Sequence, residues 1–385
     1  MYYFGAYKTI GVKILLVILI SFFASKSISA QDINDLFHEI SGDADLRFSG
    51  TVLVANHGKI IYKNSAGYAD IANKVVTSDV TRFPLASLSK LFTAIAIMQL
   101  IENGKINLDD HLVQYLPDFP YSMITVRQVL SHTSGLPDFR EVFANSQGHP
   151  LTNADVIPAL KEYNKLVAEP GTRWSYSSVG YALLAQLVEK ISNLSFSNYL
   201  SENIFRPAGM KHSYLLTPYI KNPDSLRAIS YVGQGNPLQA SDSLKTDLTI
   251  PWQTITGPGL VVSSAEDLLL FSEALFENKI LNAASQDQMY TPVKLVNGQF
   301  AELAHAPLYS GLGWAIDIDH ESGTIVSHNG GSPGISTILL RNLETHTTVI
   351  VLENTDNSGA LDFGVNSMNV LNHKPVRRFR PMHNP

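Results

Sequence analysis

Cysteine is absent from the 385 residues of this sequence, and charged residues are scarce, at 16% of the chain. The absence of cysteine excludes a disulfide framework, a thiol nucleophile and a lipoprotein attachment site. The net charge of −6 argues against nucleic acid as the main partner. Hydrophobic residues make up 45% of the chain, which is enough to build the core of one large domain or of two modest ones.

A metal-binding pattern is missing as well. His38-Glu39 lacks the second histidine of the H-E-x-x-H motif, and the remaining histidines are scattered along the chain. The sequence therefore predicts neither a metal site nor a requirement for a cofactor.

The first 30 residues have the pattern of a secretory signal peptide. Lys8 and Lys13 make a positively charged start, residues 14–24 form an apolar run, and small residues up to Ala30 provide a cleavage site. The apolar run is short for a transmembrane span. We therefore expect a mature chain that begins after Ala30, has no stable membrane span and is periplasmic or secreted in a bacterium. An uncleaved anchor is the alternative.

Hydrophobic periodicity predicts an ordered set of helices and strands. Residues 32–40 should form an amphipathic helix, and residues 48–55 and 60–66 a hairpin. A capping pattern at Ser264 indicates the start of another helix. Further strands are expected at 312–317, 324–328, 335–340 and 347–353, followed by a final helix at 361–371.

Strands near both ends, with helices between them, predict a single α/β (α+β) domain over residues 31–385. Residues 31–86 and 255–373 would form one antiparallel sheet flanked by helices. Residues 87–254 would form a mainly helical region inserted into it.

Two stretches carry no pattern that indicates a function. Residues 222–249 are polar and are expected to make a surface excursion. The tail at 374–385 contains Arg377, Arg378 and Arg380, and we expect a solvated end rather than a membrane-binding patch.

The stretch from Phe83 to Leu100 carries the first catalytic motif and is expected to form one helix, which Pro84 can open. From Leu88 onward nearly every residue is apolar or small, which predicts a helix buried on all sides. Ser87 and Lys90 are three residues apart, so they share a helix face and the lysine amine can reach the serine hydroxyl. This is the S-x-x-K arrangement of penicillin-recognising serine enzymes. Taken alone, the same letters also fit a core helix with a solvated lysine.

Other motifs follow in a fixed order, and together they make the sequence resemble the family of class C β-lactamases, penicillin-binding D,D-peptidases and related esterases. The resemblance covers about residues 35–370 and implies the transpeptidase-like fold of β-lactamases and penicillin-binding proteins. His132, in the Leu-Ser-His-Thr-Ser-Gly-Leu signature, is expected to stabilise a turn. The stretches that carry the resemblance are 83–90, 126–136, 170–176 with Tyr181, 205–210, 257–267 and 328–331.

The resemblance implies a role for each residue of the site. Ser87 would be the nucleophile, Lys90 its base and Tyr176 the relay that passes protons to the leaving group. The backbone N–H groups of Ser87 and Gly331 would form the oxyanion hole. Gly330 and Gly331 would let the substrate backbone approach closely. The positions expected to contact substrate are Ser178, His328, Asn329 and Gly330.

Two positions depart from the family's pattern. Ser178 stands where the family often has the asparagine of a Tyr-x-Asn motif, and serine lacks the amide group that holds a substrate amide. His328 stands where β-lactamases typically carry a lysine, so the fixed positive charge is missing. These departures argue against efficient hydrolysis of β-lactams and leave the acyl-transfer residues intact.

A second serine motif competes with the first. Residues 330–334 fit G-x-S-x-G, the nucleophile elbow of α/β-hydrolases, with Ser332 as the serine. That elbow needs a strand before it, a helix after it and an N–H group on the residue after the serine. Pro333 has no N–H and a strand is expected next, so we do not expect Ser332 to be the nucleophile.

The sequence thus predicts an exported serine hydrolase that works through a covalent acyl-enzyme on small-molecule or peptide substrates with an ester or amide bond. An esterase is favoured, and a D-alanyl-D-alanine carboxypeptidase or a class C-type β-lactamase are the alternatives within the enzymes. Outside the enzymes, a penicillin- or muropeptide-binding sensor fits the same motifs. The oligomeric state is left open.

Overall fold

The computed structural model describes residues 30–42, 48–144, 151–217, 224–232, 239–240, 254–304, 307–319, 321–355 and 359–376. The expected signal peptide lies outside these ranges except for Ala30. Most of the excursion at 222–249 and the three arginines of the tail also lie outside them. Among the described residues, no helix combines the length and the apolar character needed to cross a membrane.

The strands are β1 (Gly50–Asn56), β2 (Lys59–Ala66), β3 (Tyr68–Asp70), β4 (Val75–Val76), β5 (Phe83–Pro84), β6 (Tyr214–Leu215), β7 (Tyr231–Val232), β8 (Gln239–Ala240), β9 (Val261–Ser263), β10 (Tyr309–Ser310), β11 (Ala315–Asp319), β12 (Gly323–Ser332), β13 (Ile335–Asn342) and β14 (Thr347–Glu353). Seven of them make an antiparallel sheet in the order β10-β11-β12-β13-β14-β1-β2. β1 pairs with β14 along its whole length, from Gly50 opposite Glu353 to Asn56 opposite Thr347. The predicted sheet built from both ends of the chain is therefore confirmed.

The α-helices are α1 (Ala30–Gly42), α2 (Lys90–Glu102), α3 (Val126–Leu130), α4 (Phe139–Val142), α5 (Val156–Tyr163), α6 (Ser178–Ser192), α7 (Phe196–Leu200), α8 (Arg206–Ala208), α9 (Ala265–Phe276), α10 (Ala283–Met289) and α11 (Ala360–Leu371). Short 3-10 helices occur at Ala86–Ser89, Leu112–Gln114 and Asn153–Asp155, and a π-helix at Ser201–Phe205. Helices α2 to α8 thus lie between β5 and β9 in the chain.

The main sheet is covered on both faces, and the alternation of side chains along each strand explains how. In β1, Val52 and Val54 belong to a core with α1 and α11, whereas Leu53 and Ala55 belong to a larger core with α2, α6 and α9. The strand is consequently buried on both sides and reads as a continuous apolar run.

Helix α2 is the centre of the larger core. Every residue from Lys90 to Leu100 is buried, as its uninterrupted apolar sequence predicts. The helix ends at Asn103, and Gly104 follows with a left-handed backbone, φ +63°. A lysine at the first position of such a helix has its amine inside the protein.

Strand β12 runs further than its sequence indicates. A strand is expected at 324–328, and residues 329–332 continue its ladder with β13, with Gly330 opposite Thr337 and Gly331 opposite Ser336. The turn comes only at Pro333-Gly334, and β13 follows it. No helix follows Ser332, so the nucleophile elbow of α/β-hydrolases is not formed here.

Gly330 is required by packing. A Cβ at this position would lie 2.1 Å from the carbonyl oxygen of Leu85 and 3.0 Å from the backbone nitrogen of Leu88. Strand β12 therefore lies directly against the turn that contains Ser87. The expectation that Gly330 gives space to the substrate is wrong because the protein fills that space itself, whereas nothing lies within 4 Å of a Cβ at Gly331.

Candidate active site

Ser87 lies in a 3-10 turn just before α2. The sequence predicts that the helix opens near Pro84, but Phe83 and Pro84 instead form β5, which pairs with β9, and α2 begins only at Lys90. This part of the prediction is wrong because backbone pairing with β9 fixes the segment in an extended form.

The turn that contains Ser87 is held from two sides. The Leu85 N–H donates to the Val261 carbonyl, and the Ser89 hydroxyl accepts a hydrogen bond from the Val261 N–H. Ala86, between them in the chain, has a left-handed backbone with φ +47°. Such a conformation costs a non-glycine residue about 1–3 kcal/mol, so it persists only where the surroundings determine it. Its effect is to place Ser87 at the surface of a cavity.

Two donors converge on the hydroxyl of Ser87. Lys90 Nζ donates to Ser87 Oγ at 3.1 Å, and the Tyr176 hydroxyl donates to the same oxygen at 2.7 Å. Lys90 is fully buried and also donates to the Pro258 carbonyl at 3.0 Å. The structure thus brings together the three residues for which the sequence predicts catalytic roles. An oxygen that accepts two such bonds is well placed to carry negative charge.

Aromatic rings surround the Lys90 amine. Its Nζ lies 4.8 Å from the ring centroid of Tyr176 and 5.6 Å from that of Tyr181. The Tyr181 hydroxyl donates to the Leu130 carbonyl, so its ring is fixed in place. No ion pair of Lys90 is found within the described part of the chain, and its Nζ donates hydrogen bonds to Ser87 Oγ and to the Pro258 carbonyl.

His132 holds Tyr176 in three ways. Its carbonyl accepts the Ser175 N–H at 2.7 Å, and its Nδ1 lies 3.1 Å from the Ser177 nitrogen, whose N–H it accepts. Its ring also stacks on Tyr176, at 4.5 Å between centroids, and on Tyr181 at 5.0 Å. The backbone on both sides of Tyr176 and the Tyr176 ring are therefore attached to one histidine.

This arrangement requires a neutral imidazole. Nδ1 can accept the Ser177 N–H only when it carries a lone pair and no proton, so the ring proton is on Nε2. Burial lowers the pKa of His132 well below its usual range, and the neighbouring Lys90 and His328 lower it further. The sequence predicts only a turn for His132, and it does have a left-handed backbone, φ +56°. The stacking was missed because it joins residues far apart in the chain.

Two cavities meet at Tyr176. The large cavity, of about 430 Å³, is lined by Ser87, Lys90, Tyr176, Ser178 and Gly331, among others. The small cavity, of about 130 Å³, is lined by His132, Tyr176, His328, Asn329 and Trp314, among others. Of the positions predicted to contact substrate, Ser178 therefore lies in the large cavity, His328 and Asn329 in the small one, and Gly330 lines neither.

His328 is neutral in this environment. Its Nδ1–H donates to the Asn329 carbonyl at 2.7 Å. Loss of hydration, followed by the nearby Lys90, lowers the pKa of His328 to about 4. At neutral pH this position therefore offers an uncharged ring, where a lysine would offer a permanent charge.

Ser178 is the first residue of α6, and its N–H donates to Asp138 Oδ1 at 2.7 Å. The sequence analysis did not identify Asp138, Arg140 or Arg227, which also line the large cavity. Asp138 and Arg140 follow closely after the signature that contains His132, which could have indicated them. Arg227 lies in the stretch 222–249, for which the sequence predicts a surface excursion.

Metal ligands are not grouped anywhere in the described ranges. No cluster of three or more histidine, aspartate or glutamate side chains that could hold a metal ion occurs among those residues. The chemistry of the site is therefore considered with its own side chains and backbone.

Comparison with known proteins agrees with this geometry. Residues 37–366 match the family model described as Beta-lactamase. The chain belongs to the beta-lactamase family. This confirms the resemblance inferred from the motifs and the transpeptidase-like fold, and it places the chain in a family of serine acyl hydrolases and transferases.

Relatives in the beta-lactamase family carry several names. Penicillin-binding protein 4* of Bacillus subtilis is 36% identical over 318 residues, which cover 80% of this chain and 69% of that protein. A penicillin-binding protein from Bacillus halodurans is 26% identical, with a TM-score of 0.72, 86% of this chain and 97% of that chain covered. The D-amino acid amidase of Ochrobactrum anthropi SV3, solved with D-phenylalanine, is 25% identical, with a TM-score of 0.71, 89% of this chain and 98% of that chain covered.

Replacing His132 should misplace Tyr176. His132→Asn keeps an acceptor for the Ser177 N–H and tolerates the left-handed backbone, but it removes the stacked ring. We expect kcat to fall by about tenfold in His132→Asn and by about a hundredfold in His132→Ala, with KM little changed, because misplacement of a catalytic group reduces the rate of the chemical step. Steady-state kinetics on an activated ester measures both constants.

The matched control is His57→Asn. His57 also has a left-handed backbone, φ +47°, but it lies in the exposed β1–β2 turn, and its replacement should leave both constants unchanged.

A second readout is the pH dependence of the stability of His132→Asn. The folded chain keeps His132 neutral, whereas the unfolded chain protonates it below about pH 6.5, so wild-type stability falls as the pH drops. The Tm difference between wild type and His132→Asn should therefore shrink from pH 7 to pH 5; a constant difference would contradict the neutral role.

Proposed function

We propose that the protein is a serine hydrolase that forms a covalent acyl-enzyme on Ser87 and prefers ester substrates. The observation that carries the proposal is the convergence of Lys90 Nζ and the Tyr176 hydroxyl on Ser87 Oγ, at 3.1 Å and 2.7 Å. Both groups line the same cavity as the nucleophile, so a bound carbonyl can reach all three.

In the proposed reaction, Ser87 Oγ attacks the carbonyl carbon while its proton passes to Lys90. The backbone N–H groups of Ser87 and Gly331 stabilise the oxyanion, which is supported by the position of both residues on the large cavity and by the open space around Gly331. Tyr176 relays the proton to the leaving group. Water then enters, gives its proton to the same groups and releases the acyl product from Ser87.

The preference for esters rests on two positions. Ser178 offers a hydroxyl where an asparagine would hold a substrate amide, and its N–H is already bound to Asp138. His328 is uncharged, so the small cavity has no fixed charge for the carboxylate of a β-lactam or of a C-terminal D-alanine. An ester has no amide N–H to satisfy and loses less from both changes.

Other activities of the same site are alternative proposals. A D,D-peptidase is supported by the relatives named penicillin-binding proteins, and an amidase by the relative named D-amino acid amidase. A class C-type β-lactamase or a muropeptide-binding sensor would use the same nucleophile. These alternatives differ in which substrates the protein turns over, so rates measured with an ester, a D-Ala-D-Ala peptide and a cephalosporin distinguish them.

Ser87→Ala should abolish covalent labelling by a serine-directed fluorophosphonate, because no other residue is activated by both Lys90 and Tyr176. Ser332→Ala is the matched control. It removes a serine that also lines the large cavity, and labelling should persist. Intact-protein mass spectrometry measures the adduct. Labelling that survives the first change and is lost with the second would assign the nucleophile to Ser332.

The substrate preference can be shifted at the two unusual positions. We expect wild type to cleave short activated esters readily, and a cephalosporin or a D-Ala-D-Ala peptide slowly. Each missing charge-assisted hydrogen bond is worth about 1.5–3 kcal/mol, or one to two orders of magnitude in rate. Ser178→Asn combined with His328→Lys should raise β-lactam turnover relative to ester turnover. If wild type hydrolyses the cephalosporin faster than the ester, the ester preference is wrong.

We also propose that the protein is exported and that its mature chain begins near Gln31. The charged, apolar and small-residue segments of the first 30 residues support this. The mass of the protein recovered from cells that express the whole sequence should correspond to a chain without residues 1–30. A full-length chain in the membrane fraction would instead support an uncleaved anchor.

A further inference from the structure

The large cavity extends beyond the reacting atoms. In the proposed reaction Tyr176 protonates the leaving group, so the leaving group lies beside Tyr176 and the acyl chain extends into the rest of the cavity. We call this remaining part the acyl pocket. We assign to it six residues that line the large cavity and are not among the reacting groups: Phe139, Arg140, Leu216, Arg227, Ile255 and Ile335.

Positive charge dominates the walls of this cavity. Among the described residues, three basic side chains line it, those of Lys90, Arg140 and Arg227, and one acidic side chain, that of Asp138. One oxygen of the Asp138 carboxylate, Oδ1, already accepts the Ser178 N–H. Arg140 is exposed and Arg227 is half-buried, so both can meet a ligand that enters from solvent.

Arg227 is set into the wall by its neighbours. The backbone N–H of Arg227 donates to the Asp224 carbonyl, and its backbone forms an isolated parallel β-bridge with that of Arg82. The Asp224 carboxylate binds two other side chains. Arg82 Nη1 lies 3.0 Å from its Oδ2, and the Tyr214 hydroxyl donates to the same oxygen at 2.9 Å. A guanidinium has five N–H donors, so Arg227 can keep the contacts it has and still bind a carboxylate.

The small cavity has the opposite character. Its lining contains no aspartate, glutamate, lysine or arginine among the described residues, and His328 is neutral. Among the described residues, the acidic and basic side chains of the site therefore line the large cavity, and none lines the small one.

We propose that the acyl pocket selects acyl groups that end in a carboxylate, held by Arg140 and Arg227 across an apolar wall of Leu216, Ile255 and Ile335. This inference rests on the proposed acyl-enzyme function and adds the class of acyl group to it. Apolar side chains cover the methylene part of the chain, and paired guanidinium contacts fix its anionic end.

The test uses three 4-nitrophenyl esters with six-carbon acyl groups: neutral hexanoate, the monoester of adipate with a free carboxylate, and cationic 6-aminohexanoate. Since a charge-assisted hydrogen bond changes an equilibrium by about tenfold or more, kcat/KM for adipate should exceed that for hexanoate by about tenfold, and 6-aminohexanoate should be the poorest. Spontaneous hydrolysis is measured without protein and subtracted. Equal rates, or a preference for the amine, would overturn the inference.

Variants identify the residues responsible. Arg140→Gln and Arg227→Gln should each lower the adipate-to-hexanoate ratio, and the double variant should bring it close to one. Arg206→Gln changes an exposed arginine on α8 outside the cavity and should keep the wild-type ratio. An unchanged ratio in the double variant would remove both arginines from the binding of the acyl group.

Two further measurements keep the outcome decisive. If the double variant does not fold, the wild-type ratio is measured against salt, and it should fall between low and high ionic strength because salt screens exposed charges. A salt-independent ratio would contradict binding by the exposed Arg140. The mass of the acyl-enzyme formed on Ser87 with hexanoate tests the proposed function by itself, so failure of the anionic preference and failure of the acyl-enzyme mechanism give different results.

Discussion

The close contact between strand β12 and the turn that contains Ser87 is the constraint on which the site depends. Gly330 admits the backbone of that turn at a distance that any side chain would prevent, and the Thr337 hydroxyl of the next strand donates to the Leu85 carbonyl at 2.9 Å. The sheet and the start of α2 are thereby joined at Ser87. Gly331, one residue further along β12, lines the same cavity as Ser87, as the proposed oxyanion hole requires.

The position of Tyr176 depends on a separate set of contacts. Tyr176 lies in an irregular segment, and a side chain in such a segment needs fixed partners if it is to meet Ser87 at 2.7 Å. His132 supplies them through its carbonyl, its Nδ1 and its ring. Stacking and hydrogen bonding reinforce each other only while the imidazole is neutral, and burial beside Lys90 keeps it so. Position and protonation state are thus aspects of one packing arrangement.

Much of this could be predicted from the sequence because the information is local. The S-x-x-K spacing, the capped start of α9 at Ser264 and the apolar strands near both ends each depend on a few neighbouring residues. The parts that could not be predicted depend on long-range contacts. Pairing with β9 makes Phe83 and Pro84 a strand, and packing on Leu85 determines Gly330. The polar stretch with Arg227 gave no local signal of a cavity wall.

The two cavities of the site differ in the charged side chains that line them. Lys90 donates to Ser87 Oγ, Arg140 and Arg227 line the large cavity, and neutral histidines line the small one. A ligand carboxylate placed beside His328 would lose its hydration without gaining a permanent partner, whereas one placed beside Arg227 would gain paired donors. The two orientations of an anionic substrate therefore differ in free energy even though the nucleophile is the same for both. In the proposed reaction Tyr176 protonates the leaving group, so selectivity depends on where the charges lie relative to Tyr176.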